Sequence, residues 1–235
     1  MDFQDQYQDG SYLETTVDWH EQDAEWKAKH IRRLIDLAGI SPRTIADIGC
    51  GTGGVLVQLQ KMLPDDVQLT GYEIAKSIFD VAQARGNARL RFVNSAEVHA
   101  DPPYDLALVI DVFEHIPDYL GFLNSIKPAA DKFIFHIPLD LSMRCLHHDT
   151  PMARRKEVGH LHYFTTSTAR ATLEDCGYRV LNAFHTHSAM QPMPSSRLVR
   201  LKRWPDRWLF KRNPELCAKT LGGCSWLVLA EKVPA

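Results

Sequence analysis

Residues 17–38 carry Trp19, Ala24, Ile31, Leu34, Ile35 and Ala38 at mostly helical spacing with charged residues between them, which predicts an amphipathic helix. Gly39 and Ser41-Pro42 then end it. Further along, short runs rich in β-branched residues alternate with helical stretches, the rhythm of parallel strands joined by crossover helices. Strands are predicted at 44–48, 68–73, 90–93, 105–111 and 132–137, with helices at 54–62, 75–85 and 118–126. Residues 106–110 are an unbroken apolar run and 133–137 are apolar except for His136, as central strands covered on both faces require. The pattern predicts a doubly wound α/β sheet.

After Pro138 the rhythm breaks, and residues 140–164 read as an insertion ahead of a helix at 168–176 and a strand at 179–184. A second irregular stretch follows. It holds Arg197, Arg200, Lys202, Arg203, Arg207, Lys211, Arg212 and Lys219 against only Asp206 and Glu215, interleaved with Trp204, Trp208, Leu209 and Phe210. A strand at 226–230 closes the pattern.

Composition narrows the class. The 235 residues are 45% hydrophobic, enough for one sizeable core, and a formal charge of −2 argues against a general polyanion or membrane-surface binder. Cys50, Cys145, Cys176, Cys217 and Cys224 are scattered without a C-x-x-C pair, so neither a disulfide framework nor a zinc ribbon is indicated. The acidic, polar start of the chain lacks the apolar run of a secretory signal, and no stretch reaches the roughly 18–20 apolar residues of a membrane span. A cytoplasmic location is expected.

The strongest local signal is the run from Ile45 to Gly54, a buried strand entering a glycine-rich turn that opens a helix. Side-chain-free turn residues let ligand atoms approach the backbone, and the helix start presents N–H groups. Gly49, Gly51 and Gly54 also satisfy G-x-G-x-x-G, so a nicotinamide-dependent dehydrogenase fits the loop alone. Glu73, at the end of the next predicted strand, suits the two hydroxyls of a ribose.

Asp47, two residues before the first glycine, and the segment Asp111-Val112-Phe113-Glu114-His115-Ile116-Pro117-Asp118 separate the readings. With these motifs in order, the chain resembles the class I S-adenosylmethionine-dependent methyltransferases, in their small-molecule branch. The resemblance runs from about 29 to 183 and resumes at 222–232. It implies one Rossmann-like domain over 1–235: a seven-stranded, mostly parallel sheet with the last strand antiparallel and helices on both faces. Segment 1–40 would be an N-terminal helix and possible lid, 41–139 the cofactor-binding half, and 140–166 with 187–222 the substrate side. Asp47 and the backbone of Gly49, Cys50 and Gly51 would surround the methionine part of S-adenosylmethionine. Glu73 would hold the ribose and Ile74 the adenine. Asp111 and Val112 would serve the methionine amino end. Where family members often carry Gly-Asp-Ala-Glu, this chain has Asn94-Ser95-Ala96-Glu97, leaving Ser95 and Ala96 on the adenine side.

Methyl transfer from a sulfonium needs alignment and exclusion of water more than it needs a protein nucleophile. A hydroxyl acceptor would use a general base. His115, just past the fourth strand with Glu114 beside it, is the first candidate. His136 reads as a satisfied strand histidine. The run Gly159-His160-Leu161-His162-Tyr163-Phe164-Thr165 matches a G-H-x-H-x-F-[ST] element of the same branch, which implies that His160 or His162 lines the substrate pocket, that Phe164 packs inward and that Thr165 or Thr166 caps the next helix. Cys145, His147 and His148 with His160 and His162 contain metal-ligand types without a fixed spacing, and no metal is assigned. Tyr7, Tyr12, Trp19 and Trp26 suit either a lid or a core-facing stripe.

The expected product pair is S-adenosylhomocysteine and a small molecule methylated on O, N or C. The basic stretch leaves an anionic or lipid-linked acceptor open. A binding module without activity and a nicotinamide-dependent dehydrogenase, the latter favoured only by the glycine spacing, are the rivals. A nucleic-acid substrate is disfavoured, because Asp101-Pro102-Pro103-Tyr104 precedes the fourth strand instead of following it and reads as a turn. Nothing in the pattern names the acceptor or the oligomeric state.

Overall fold

The computed structural model describes residues 11–98, 101–191 and 203–233, with side chains from residue 23 onward. Tyr7, Arg197, Arg200 and Lys202 lie outside the described residues, as do the side chains of Tyr12 and Trp19.

Helix α1 (Ser11–Leu37) buries Ala24, Ala28, Ile31 and Ile35, a stripe at helical spacing, with Leu34 beside it. It stops where Gly39 adopts a φ of 63°. The seven strands are β1 (Thr44–Ile48), β2 (Gln68–Tyr72), β3 (Leu90–Val93), β4 (Tyr104–Ile110), β5 (Ala130–Pro138), β6 (Tyr178–His187) and β7 (Cys224–Lys232). They form one sheet in the order β3-β2-β1-β4-β5-β7-β6, parallel except that β7 runs antiparallel to both β5 and β6. This is the arrangement the resemblance implied.

Helices α2 (Gly54–Gln60), α3 (Lys76–Gln83), α4 (Tyr119–Ser125) and α7 (Thr166–Asp175) supply the predicted layers. The apolar runs of the central strands resolve into two faces. Leu106, Leu108 and Ile134 pack with Ile31, Leu34, Leu56 and Leu59 on one side, while Ala107, Val109, Phe133 and Phe135 pack with Phe113, Leu123, Phe164 and Tyr178 on the other. Phe164 is buried as expected, and Thr165 caps α7 by accepting from the Thr168 N–H at 3.2 Å.

Both stretches expected to be irregular contain helices, a correction to the sequence reading. Residues 140–164 contain α5 (Met143–His147) and α6 (Thr150–Glu157), and the basic stretch contains α8 (Trp204–Arg212) and α9 (Pro214–Thr220). Three of these four carry Pro at the first positions, where a missing N–H costs nothing. Their polar sequences lack a long apolar stripe, so periodicity alone could not reveal them. Among the described residues, no helix is long and apolar enough to cross a membrane.

Candidate functional site

Three strands deliver the site at the carboxyl edge of the sheet. At the end of β1 the chain turns through Gly49, Gly51 and Gly53, all with positive φ, into α2. The N–H groups of Gly49 and Cys50 donate to the Tyr72 carbonyl at 2.9 and 3.0 Å, which clamps the loop to β2. A Cβ on Gly53 would lie 2.5 Å from the Phe92 ring, and one on Gly49 would lie 2.9 Å from Val112, so both positions exclude side chains.

Glu73, immediately after β2, accepts from the Gly51 N–H at 3.0 Å and the Ala75 N–H at 2.8 Å. Burial raises its pKa and outweighs those backbone bonds. Asp47 is buried with one carboxyl oxygen unpartnered; burial first, and the nearby Glu73 charge second, push its pKa up to about 7. Ile74 presents an apolar side chain that is 61% exposed beside Glu73. The Asn94 amide donates to the carbonyls of Glu73 and Ile74, while Ser95 closes a turn onto Glu97, with Ala96 exposed between them.

Beyond β4, Asp111 takes a φ of 55°, a strained value for a residue with a side chain. Its carboxylate bridges His136 Nδ1 at 2.7 Å and Lys27 Nζ at 2.9 Å, and Lys27 also reaches Asp23 at 2.9 Å. Burial alone would raise Asp111, but the charges of His136 and Lys27 hold its pKa far below the carboxylate range. Burial would likewise depress Lys27, yet Asp111 and Asp23 keep it above an ordinary lysine. His136 is satisfied, as the sequence suggested, its Nε2 lying 2.9 Å from Thr186 Oγ1; it also faces the cavity. Lys27 was missed. It stands within a helix that reads as amphipathic, where a lysine signals only a solvated face.

Asp111, Lys27 and His136 form one wall of a cavity of about 230 Å³. Glu114, His115 and His160 form another, and Asp140, Arg154, Ser188 and Gln191 complete the rim. Glu114 is fully buried and neither carboxyl oxygen has a hydrogen-bond partner, so burial, reinforced by Asp111, raises its pKa strongly. Its backbone carbonyl accepts from the N–H groups of Leu161 and His162, which ties the Gly159–Thr165 run to the end of β4.

Of the three predicted catalytic histidines, the structure brings His115 and His160 to the cavity. His162 turns away from it, Nε2 donating to the Ile116 carbonyl at 3.0 Å and the ring packed on Tyr119. Cys145, His147 and His148 do not join them: Cys145 is buried on α5 and the two histidines are exposed. Among the described residues, two other groupings bring metal-ligating atoms within 4.8 Å of one another, Glu114 with His115 and His160, and His187 with Cys217 and Cys224. In the second, His187 Nδ1 accepts from the Ala189 N–H at 2.9 Å, which leaves the hydrogen of a neutral ring on Nε2 and no lone pair for an ion.

A strand-order reversal at β1 and β4, a glycine turn with an acid after the next strand, and an acid-lined cavity beside them define the nucleotide-binding edge of an open α/β fold. The family model described as "Methyltransferase domain" matches residues 19–183, and the chain belongs to this family. Ubiquinone biosynthesis O-methyltransferase of Vibrio cholerae is 27% identical over 133 residues, 49% of this chain and 53% of the relative. The chain therefore spans about half the length of the curated relatives it matches. In fold it is similar to the plantazolicin methyltransferase BpumL, solved with a monoazolic desmethylPZN analogue and S-adenosylhomocysteine: TM-score 0.61 at 14% identity, covering 94% of this chain and 88% of that one. It is likewise similar to magnesium protoporphyrin IX methyltransferase of Synechocystis, solved with S-adenosylhomocysteine: TM-score 0.59 at 13% identity, covering 89% and 83%.

Proposed function

We propose that this chain transfers the methyl group of S-adenosylmethionine to an O, N or C nucleophile of a small molecule. The observation that carries this reading is the continuity of two differently built sites. The glycine turn, Glu73 and Ile74 suit an adenosyl group, and Asp111 and Val112 lead from there directly onto the cavity. Glu73 keeps lone pairs for the ribose hydroxyls while its N–H contacts fix its geometry. Ser95 and Ala96 flank the adenine end, and Asp47 with the backbone of Gly49, Cys50 and Gly51 faces the methionine end.

Segments 140–166 and 187–222 supply the acceptor side, the first contributing Asp140, Arg154 and His160 and the second Ser188 and Gln191. Asp23, Trp26 and Lys27 of α1 close the same cavity, which supports the N-terminal segment as a lid. His115 and His160 stand where an acceptor would be activated. Arg154 on the rim supports an anionic acceptor. The chain's contribution to rate is alignment of the acceptor with the sulfonium methyl and exclusion of water.

Calorimetric titration of the full chain with S-adenosylmethionine, S-adenosylhomocysteine and NAD tests the reading. Micromolar binding of both adenosyl ligands and none of NAD is expected. Binding of NAD alone, or of no ligand, would overturn it.

A further inference from the structure

The cavity wall contains an arrangement that methyl transfer by itself does not require. Glu114, His115 and His160 come from two segments of chain, yet their ligand atoms lie within 4.8 Å of one another. His115 Nε2 is 3.9 Å from Glu114 Oε1, and the two imidazole rings meet edge to face at 4.8 Å. The Glu114 side chain is 0% exposed, and both its oxygens lack hydrogen-bond partners. Ionised, such a carboxylate is costly unless a cation meets it, and protonated, its O–H is left without an acceptor among the described residues.

The histidines are oriented to supply the same need. His115 Nδ1 lies 3.3 Å from the Gly159 carbonyl, and only an N–H can bond to a carbonyl, so in the neutral ring the lone pair is on Nε2. His160 Nδ1 lies 2.7 Å from Asp140 Oδ2, which places its hydrogen toward that carboxylate and its lone pair also on Nε2. A carboxylate behind the outer nitrogen of an imidazole is the support that metal-binding histidines commonly have. Asp111, the other acid nearby, is fully engaged by Lys27 and His136. Ligands of a tetrahedral ion with bonds of roughly 2.1 Å stand about 3.4 Å apart, so a contraction of at most about 1.4 Å between ligand atoms completes the site.

We propose that Glu114, His115 and His160 bind one divalent transition-metal cation whose remaining coordination positions face the cavity and take a hydroxyl oxygen of the acceptor. Two imidazoles and one carboxylate suit manganese, iron or zinc better than magnesium, which prefers oxygen ligands throughout. The cation site stands on this geometry; its role toward the acceptor rests on the methyltransferase reading above. In that role the coordinated hydroxyl releases its proton to solvent and its oxygen bonds to the methyl carbon. The carbon–sulfur bond breaks with its electron pair remaining on sulfur, so a methyl ether and S-adenosylhomocysteine are formed.

The test is a titration of the chelator-stripped full chain with Mn²⁺, followed by the electron paramagnetic resonance of the free ion, and with Zn²⁺ by calorimetry. One ion per chain is expected. Glu114→Gln and His160→Gln should weaken binding at least about 100-fold, and Asp140→Asn roughly 10- to 100-fold, the range for loss of a supporting hydrogen bond. S-adenosylhomocysteine titrated into the same preparations reports that each variant is folded and tests the cofactor reading separately. Failure of S-adenosylhomocysteine binding beside intact Mn²⁺ binding would remove the acceptor role and leave the cation site. No saturable binding of either ion by the wild-type chain, or equal affinity in a Glu114→Gln chain that still binds S-adenosylhomocysteine, would overturn the cation site itself.

Discussion

The glycine turn after β1 and the cavity wall after β4 both lie at the carboxyl ends of parallel strands, yet they are built from different materials. The turn is made of backbone: its N–H groups are held by Tyr72 and Glu73, and its glycines occupy conformations and spaces closed to side chains. The wall is made of buried charge: Lys27 between Asp23 and Asp111, His136 behind Asp111, and an unpartnered Glu114. A backbone site tolerates changes of side-chain chemistry and fails on shape. A buried-charge site fails on the loss of a single partner.

The largest effect should therefore come from the wall. Lys27→Met keeps the volume and removes the charge between two acids, and denaturant unfolding should show a loss of about 3–5 kcal/mol. A loss below 1 kcal/mol would mean that Asp111 is held by His136 alone. Next is a buried acid of the turn region, Asp47. Its folded pKa of about 7 lies above the unfolded value near 4, so between them the folded chain keeps a proton that the unfolded chain has lost. Stability should fall as pH rises through that window, by at most about 4 kcal/mol, and stay lowered above it. Asp47→Asn should flatten the profile from pH 4 to 8, as measured by urea unfolding.

A shape defect at the turn should cost somewhat less. Gly53→Ala places a methyl group 2.5 Å from Phe92 at a φ of 79°, with an expected loss of about 2–4 kcal/mol and of S-adenosylhomocysteine binding. The smallest effect is expected at Ile74, where a 61% exposed side chain supports nothing in the fold. Ile74→Ala should leave stability within about 0.5 kcal/mol yet weaken S-adenosylhomocysteine by roughly fivefold, because the apolar cover of the adenine is lost. An unchanged dissociation constant would place the adenine elsewhere.

The same contrast explains what could be read from the residues alone. β1, β3 and the start of α2 fall where the pattern places them, because hydrophobic runs and glycines report local backbone requirements directly. Glu73 stands out in the sequence because it ends a strand at the edge where such sheets bind ligands, whereas Asp111 is singled out only through the resemblance, and its ion pairs with Lys27 and His136 are invisible there. Lys27 and Asp140 were not legible, since each gains its meaning from a partner 84 or 20 residues away, at Asp111 and His160 respectively. His160 and His162 are indistinguishable in sequence; the structure separates them, pairing His160 with Asp140 at the cavity and bonding Nε2 of His162 to the Ile116 carbonyl. The helices α5, α6, α8 and α9 were hidden because short polar segments declare themselves by caps and prolines, not by an apolar period.

A crystal structure of the full chain with S-adenosylhomocysteine tests the central claim most directly. The ribose hydroxyls should lie on Glu73, the adenine against Ile74, and the sulfur at the mouth of the cavity beside Asp111 and Glu114. A ligand bound away from the glycine turn, or one whose sulfur faces solvent instead of that cavity, would contradict it.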